Sequence, residues 1–235
     1  MERKLVITID GPSGAGKSTL SKLLAGKLNY TYIDSGALYR AVALKVQQTG
    51  ADADDDEALS RLCANLAVSF HQDRDRLTVM LDGADVTEAI RAPEISMLAS
   101  RVSARKTVRD ALLGVQRKLG EEGGIVVEGR DMGTVVFPDA EVKFFLDASL
   151  ETRGVRRFHQ YRAQGRQYDV AGITRDIEKR DSDDSRRALS PLTPAADALR
   201  IDSTNMSIEE VAAEMLKAVE RRLSPSPKLR TGGIN

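Results

Sequence analysis

The 235-residue chain has a single cysteine, Cys63, so no disulfide can form within it, which suits a reducing compartment. Histidine is almost as scarce. His71 and His159 are the only two, and with one cysteine they argue against a dedicated His/Cys metal site. No apolar stretch approaches the roughly 20 residues needed to span a bilayer. The apolar run from Leu5 to Ile7 is also too short for a signal-peptide core. A cytoplasmic protein without a membrane partner is therefore expected. Net charge is missing too: 35 basic and 35 acidic side chains cancel, leaving no global positive field to attract nucleic acid. Any anion site must be assembled from locally gathered arginines.

What is present fits an ordinary soluble protein, with 41% hydrophobic and 30% charged residues. The length favours one large α/β domain with insertions over two independent domains, and it is enough to bury a core. Short β-branched or apolar runs at 5–9, 30–33, 125–127, 142–146 and 199–201 read as strands. Helical patterns cover 17–28, 37–48, 94–105, 107–120, 149–163, 172–187 and 208–223, with a polar joint at 164–171. Between them, 68–71 and 77–81 flank a polar stretch and read as a β-hairpin, an insertion in the alternating pattern. The alternation itself predicts a parallel sheet wrapped on both faces. Residues 224–235, with two Ser-Pro pairs and a Gly-Gly end, read as a flexible tail.

The segment Gly11, Pro12, Ser13, Gly14, Ala15, Gly16, Lys17, Ser18 satisfies the eight-residue P-loop pattern, with Thr19 continuing into the helix. Glycines let the backbone fold closely enough for its N–H groups to surround phosphates. The helix that follows adds the positive end of its dipole. Lys17 is expected to reach the β- and γ-phosphates of ATP, and the Ser18 hydroxyl to ligate Mg2+. A chance match in a chain of this composition is on the order of one per cent, and the strand-to-helix context lowers it further. Two P-loop classes are excluded by what does not accompany the motif. There is no Asn-Lys-x-Asp element to read guanine and no Leu-Ser-Gly-Gly-Gln transporter signature. A small-molecule kinase or an ATP-dependent interaction module remains.

Transfer of a phosphoryl group to a phosphate-bearing acceptor brings two anions together, and positioned cations must neutralise them. Arginine suits this through its planar, bidentate fork. Arg153, Arg156 and Arg157 have helical spacing that puts them on one face. Three further segments follow the P-loop in order: Asp34 to Arg40, Glu128 to Thr134, and Lys179 through Arg187 to Leu192. With them the chain, over about residues 4–223, resembles the bacterial cytidylate kinases of the nucleoside monophosphate kinase family.

The resemblance implies a P-loop NTPase three-layer sandwich with a parallel sheet, an inserted CMP-binding subdomain and a helical lid. Within a single kinase domain over 1–223 the core would take 1–34, 107–147 and 188–223. The acceptor-binding arm with its β insertion would take 35–106, and the lid 148–187. The implied co-substrate is ATP with Mg2+, the implied acceptors CMP and dCMP, and the implied state a monomer. Ser35 and Arg40 match the acceptor arm, with Arg40 facing the acceptor phosphate. Ser100, Arg109 and Asp131 match the set that reads cytosine. Arg130 and Arg187 match phosphate contacts, Arg180 and Asp184 the region around the pentose, and Arg153 and Arg157 the lid. Glu128 stands where a water-mediated Mg2+ contact is expected, although aspartate is common there in the family.

Independently of the resemblance, a carboxylate is the natural acceptor for the cytosine N4 amino group, whereas uracil would present a carbonyl to it. Plainer roles stand beside these: Asp131 as a metal- or helix-capping acid, and Ser35 as the N-cap of its helix. A related acceptor kinase such as shikimate kinase is a further reading, against which the long insertion and the 129–133 segment speak.

Overall fold

The computed structural model describes residues 4–73, 76–163, 165 and 168–224. The expected tail from residue 225 onward lies outside them, as do the hairpin tip at 74–75 and positions 164, 166 and 167 of the polar joint.

The first strand, β1 (Val6–Asp10), runs into the P-loop and then α1 (Lys17–Leu28). Asn29 closes α1 in the left-handed conformation, donating its N–H to the carbonyls of Ala25 and Gly26. Next come β2 (Thr31–Asp34) and α2 (Ser35–Thr49), where Gly50, with φ 66°, ends the helix. Asp55 caps α3 (Asp56–Ala64), accepting from the N–H groups of Glu57 and Ala58. The insertion then forms a small antiparallel sheet of β3 (Val68–Asp73), β4 (Arg76–Leu81) and β5 (Ala84–Asp85). An ion pair of 2.8 Å between Lys45 and Asp82 fastens this sheet to α2.

After a 3-10 turn at Ala89–Arg91 come α4 (Pro93–Ser103), begun by proline at its first position, and α5 (Lys106–Lys118). The chain returns through β6 (Ile125–Gly129), a π-turn at Met132–Val136 and β7 (Val142–Asp147). It finishes with α6 (Leu150–Ala163), α7 (Val170–Arg186), β8 (Leu199–Asp202) and α8 (Ile208–Leu223). A capping box between Ser207 and Glu210 begins α8.

The central sheet is wholly parallel, in the order β2-β6-β1-β7-β8. Its two faces follow the period of two that strands impose. Ile7, Ile9, Tyr32, Val126, Phe144 and Leu146 pack with α1 and α8 on one side. Ile33, Ile125 and Val127 pack with the π-turn and α5 on the other. A third cluster joins α2, α4 and α5 to the small sheet through Leu38, Val42, Leu59, Val79, Ile95 and Val102. The architecture is thus the expected α/β three-layer sandwich, with the insertion carrying its own apolar core.

Three elements were not legible in the sequence pattern: β5, the 3-10 turn and the π-turn. Two- and three-residue elements have no period to detect, and the π-turn is held by a contact from β1. Strand register decides which charged groups become neighbours. Glu128 lies level with Ile9 on one side and Asp34 on the other, and Asp10 lies beside Gly129. The carboxyl ends of three strands therefore meet at one edge, where ligands of open parallel sheets bind.

Phe144 is 1% exposed at the centre of the sheet. Phe144→Ala is expected to lower the free energy of unfolding by about 3–5 kcal/mol, read from urea denaturation. Met97→Ala, at a side chain 70% exposed, should change it by less than about 0.5 kcal/mol.

Candidate functional site

The P-loop backbone takes its path because of what surrounds it. A Cβ on Gly11 would sit 2.0 Å from the carbonyl oxygen of Leu146, and φ is +147° there. Gly14 and Gly16 also have positive φ, at 79° and 98°. Ser13, Gly14, Lys17 and Ser18 line a cleft, with Gly11, Pro12, Ala15 and Gly16 forming the rest of the loop. Thr19 is exposed on the first turn of α1 and is not among the lining residues. Lys17 is buried, and its Nζ donates to the Pro12 carbonyl at 2.6 Å.

Among the described residues the cleft is lined by eight lysine or arginine side chains but only four carboxylates. A chain with no net charge has thus concentrated positive charge in one place. The cations are Lys17, Arg40, Arg91, Arg109, Arg130, Arg157, Arg180 and Arg187; the acids are Asp34, Glu128, Asp131 and Asp184. Burial, with Arg130 and Arg180 nearby, lowers Lys17 below the ordinary lysine range, against the pull of Glu128 and Asp10. Burial and Arg130 also lower Arg180, to about 10, and its Nε is buried with no hydrogen-bond partner among the described residues. Such a site is short of anions, and bound phosphates satisfy it.

The four carboxylates divide the cleft. Asp34 pairs with Arg40 at 2.5 Å and accepts the Ala37 N–H at 3.2 Å, so Asp34, not Ser35, is the N-cap of α2. Ser35 instead donates its hydroxyl to the Glu128 carbonyl at 2.6 Å, because the strand register puts the two chains side by side. Glu128 accepts from the Tyr32 hydroxyl at 2.5 Å. Burial and the charge of Asp34 raise its proton affinity, while Lys17, Tyr32 and the Ser18 hydroxyl lower it. Ser18 and Glu128 thus stand together as hard oxygen donors beside the loop, a set that fits Mg2+ shared with phosphate oxygens. Among the described residues no group of three or more His, Cys, Asp or Glu forms a fuller metal cage.

At the other end, Asp131 is buried against Arg109, which also donates to the Ser103 carbonyl at 3.0 Å and lies over the Tyr39 ring. Asp131 makes no side-chain cap on the π-turn it precedes, so the helix-capping role does not hold. Burial raises its proton affinity; Arg109 and Arg187 oppose this. Ser100 lines the same end. Arg187 donates to Ser190 O at 3.0 Å and lies 3.7 Å from Asp184, close to Asp131 rather than to the P-loop. Asp184 also accepts from Arg130 at 2.9 Å.

The three arginines of α6 do not act together. Arg157 lines the cleft, stacked over Tyr161. Arg156 donates to the carbonyl of Ser203 at 2.7 Å. Arg153 is not on the cleft wall; it is committed to Ala148 O, to Ser13 O at 3.0 Å and to Asp181. Asp181 in turn accepts the Ser13 N–H at 3.2 Å. Sequence reasoning missed Arg91, Ser103, Tyr161 and Asp181, which carry no local signal. It also missed Asp10, whose carboxylate is buried and raised to about 6, mainly by burial. An aspartate ending an otherwise apolar strand was a signal that could have found it.

A family profile described as Cytidylate kinase matches residues 7–221. The Cytidylate kinase of Syntrophotalea carbinolica is 52% identical over 222 residues, covering 94% of each chain. That of Geobacter sulfurreducens is 50% identical over 225 residues, covering 96% of this chain and 97% of the relative. Among solved structures, an uncharacterized protein from Eubacterium ventriosum aligns over 93% of this chain and 99% of its own, with a TM-score of 0.51 and 12% identity. That likeness concerns the fold alone.

Burial opposes ionisation of Asp184, but Arg130, Arg180 and Arg187 hold it below the ordinary 3.8. A carboxylate depressed in this way contributes stability above its ordinary value and loses it as the pH falls through the lower folded value. Asp184→Asn is expected to melt below the wild type at pH 7, with the gap narrowing below about pH 4. A gap that does not change with pH would show that the arginine pairing contributes nothing.

Proposed function

The chain belongs to the cytidylate kinase family, and on that footing we infer how its cleft performs the reaction. It is a nucleoside monophosphate kinase that phosphorylates CMP and dCMP. The γ-phosphoryl group of ATP passes to the acceptor phosphate, giving CDP or dCDP and ADP. The observation that supports this assignment of the cleft is its local excess of cations around a P-loop, closed at the far end by a carboxylate that an arginine holds in place.

In this reading the loop amides and Lys17 receive the β- and γ-phosphates of ATP. The Ser18 hydroxyl and, through water, Glu128 would hold Mg2+, which would supply further charge neutralisation there. Arg40 and Arg130 take the acceptor phosphate and bring it into line. Both have carboxylate partners, Asp34 and Asp184, which keep their forks oriented. Arg157 adds positive charge where the transferring group carries it, so that two anions can approach. Arg153, with its donors engaged by the P-loop and Asp181, steadies the loop instead.

Ser100, Arg109 and Asp131 read the base. The Asp131 carboxylate accepts the cytosine N4 amino group, and uracil would set a carbonyl against a buried negative charge. Asp184 and Arg180 lie beside the pentose, and Ser35 and Arg187 complete the acceptor pocket. The acceptor-binding arm is 35–106. The segment 148–187 acts as a lid whose closure excludes water and limits wasteful hydrolysis of ATP.

A coupled assay of ADP release across CMP, dCMP, UMP, AMP and shikimate tests the reading, with turnover expected on CMP and dCMP. Stimulation by none of the five would refute it. Lys17→Ala should lower kcat by about 100-fold or more with the fold intact. Asp131→Asn should lower the preference for CMP over UMP, as the ratio of kcat/KM values, by about 10-fold or more. Unchanged discrimination would rule out Asp131 as the base reader.

A further inference from the structure

Asp10 is the last residue of β1 and stands directly before the P-loop, yet both its carboxylate oxygens are engaged by a distant segment. One carboxylate oxygen accepts the Met132 N–H at 2.9 Å, and the other accepts the Gly133 N–H at 2.8 Å. Its backbone meanwhile pairs with Gly129. Asp10 therefore grips the chain on both sides of Arg130 and Asp131, the pair to which the acceptor phosphate and base are assigned. Beyond Gly129 the ladder stops, and Asp131 leaves the strand at φ −144°, ψ 23°. Nothing in regular secondary structure then fixes where these two side chains point.

The close approach has been accommodated on both sides. A Cβ on Gly133 would lie 2.9 Å from the Thr8 hydroxyl and 3.4 Å from the Asp10 carboxylate. An added methyl would have to displace Thr8 and, at 3.2 Å, the Lys143 stem, which disturbs the backbone beside the acid. Asp10 itself is 3% exposed and is not among the cleft-lining residues, so it stands behind the cleft wall.

We propose that Asp10 is a positioning residue for the acceptor: its carboxylate clamps the turn that presents Arg130 and Asp131, and so couples the strand that launches the ATP cradle to recognition of the cytosine nucleotide. This rests on the reading of Asp131 as the base reader. Asparagine at this position keeps the size but offers one acceptor oxygen and turns an amino donor toward an amide N–H. The turn should loosen while the P-loop backbone, held by Gly11 and the sheet, stays in place.

The test compares Asp10→Asn, Gly133→Ala and Asp131→Asn in full-length protein, measuring KM for CMP, KM for ATP, kcat/KM for CMP and UMP, and thermal melting. Asp10→Asn and Gly133→Ala are both expected to raise KM for CMP about tenfold and to lower the CMP-over-UMP ratio about tenfold. KM for ATP should stay within about twofold. A merely structural role would lower the melting temperature and the active fraction and leave both KM values and the ratio unchanged. That result, or an equal rise in both KM values, overturns the proposal.

If Asp131→Asn leaves the ratio unchanged, the base-reading assignment itself falls. If it lowers the ratio and Asp10→Asn does not, only the role of Asp10 falls. Should the Asp10 and Gly133 variants not fold, hydrogen exchange in the wild type decides. Protection of the Met132 and Gly133 amides without nucleotide supports the clamp, and free exchange overturns it.

Discussion

Positive charge crowded at the carboxyl ends of parallel strands is the constraint on which the rest of this molecule depends. Burial, with Arg130 nearby, lowers the proton affinity of both Lys17 and Arg180. Left to themselves such groups would move apart or lose protons. They stay because Asp34, Glu128, Asp131 and Asp184 are interleaved among them and because the sheet holds the backbone from which they project. The acids are too few to neutralise the cleft, and phosphates complete the balance. A chain with no net charge thereby presents a locally anion-seeking site.

Two structural devices maintain this arrangement. The first is strand register, which sets Asp34 and Glu128 in one row and Asp10 beside Gly129. The second is α7, whose Asp181 and Asp184 fall on one face at helical spacing. Asp181 holds the P-loop through the Ser13 amide and Arg153, and Asp184 holds Arg130 and Arg187. A single helix therefore touches the P-loop and the cleft wall that carries Arg130 and Arg187.

Buried acids differ here by the balance between burial and their partners, which leaves Asp131 raised although it faces Arg109. Asp34 and Asp184 face arginines and are held below the ordinary value; Asp10 and Glu128 are raised because burial and neighbouring acids outweigh the donors around them. In Asp10 this cost is accepted for two backbone hydrogen bonds that no apolar side chain could make. Buried polar groups of this kind are retained where geometry matters more than stability.

Much was determined by the sequence alone. The P-loop, the alternation of strands and helices, and the antiparallel insertion follow from local patterns and local chemistry. A phosphate cradle needs contiguous glycines, and a helix needs neighbours three and four apart, so both can be read along the chain. Only tertiary structure decided which arginines face the cleft. It separated Arg153, Arg156 and Arg157, three neighbours on one helix, onto three different partners. It made Asp34 the cap of α2 and turned Ser35 toward Glu128. It set Asp10 against residues more than a hundred positions away. These outcomes depend on strand register and on packing between distant segments, and neither leaves a periodic trace in the order of the residues.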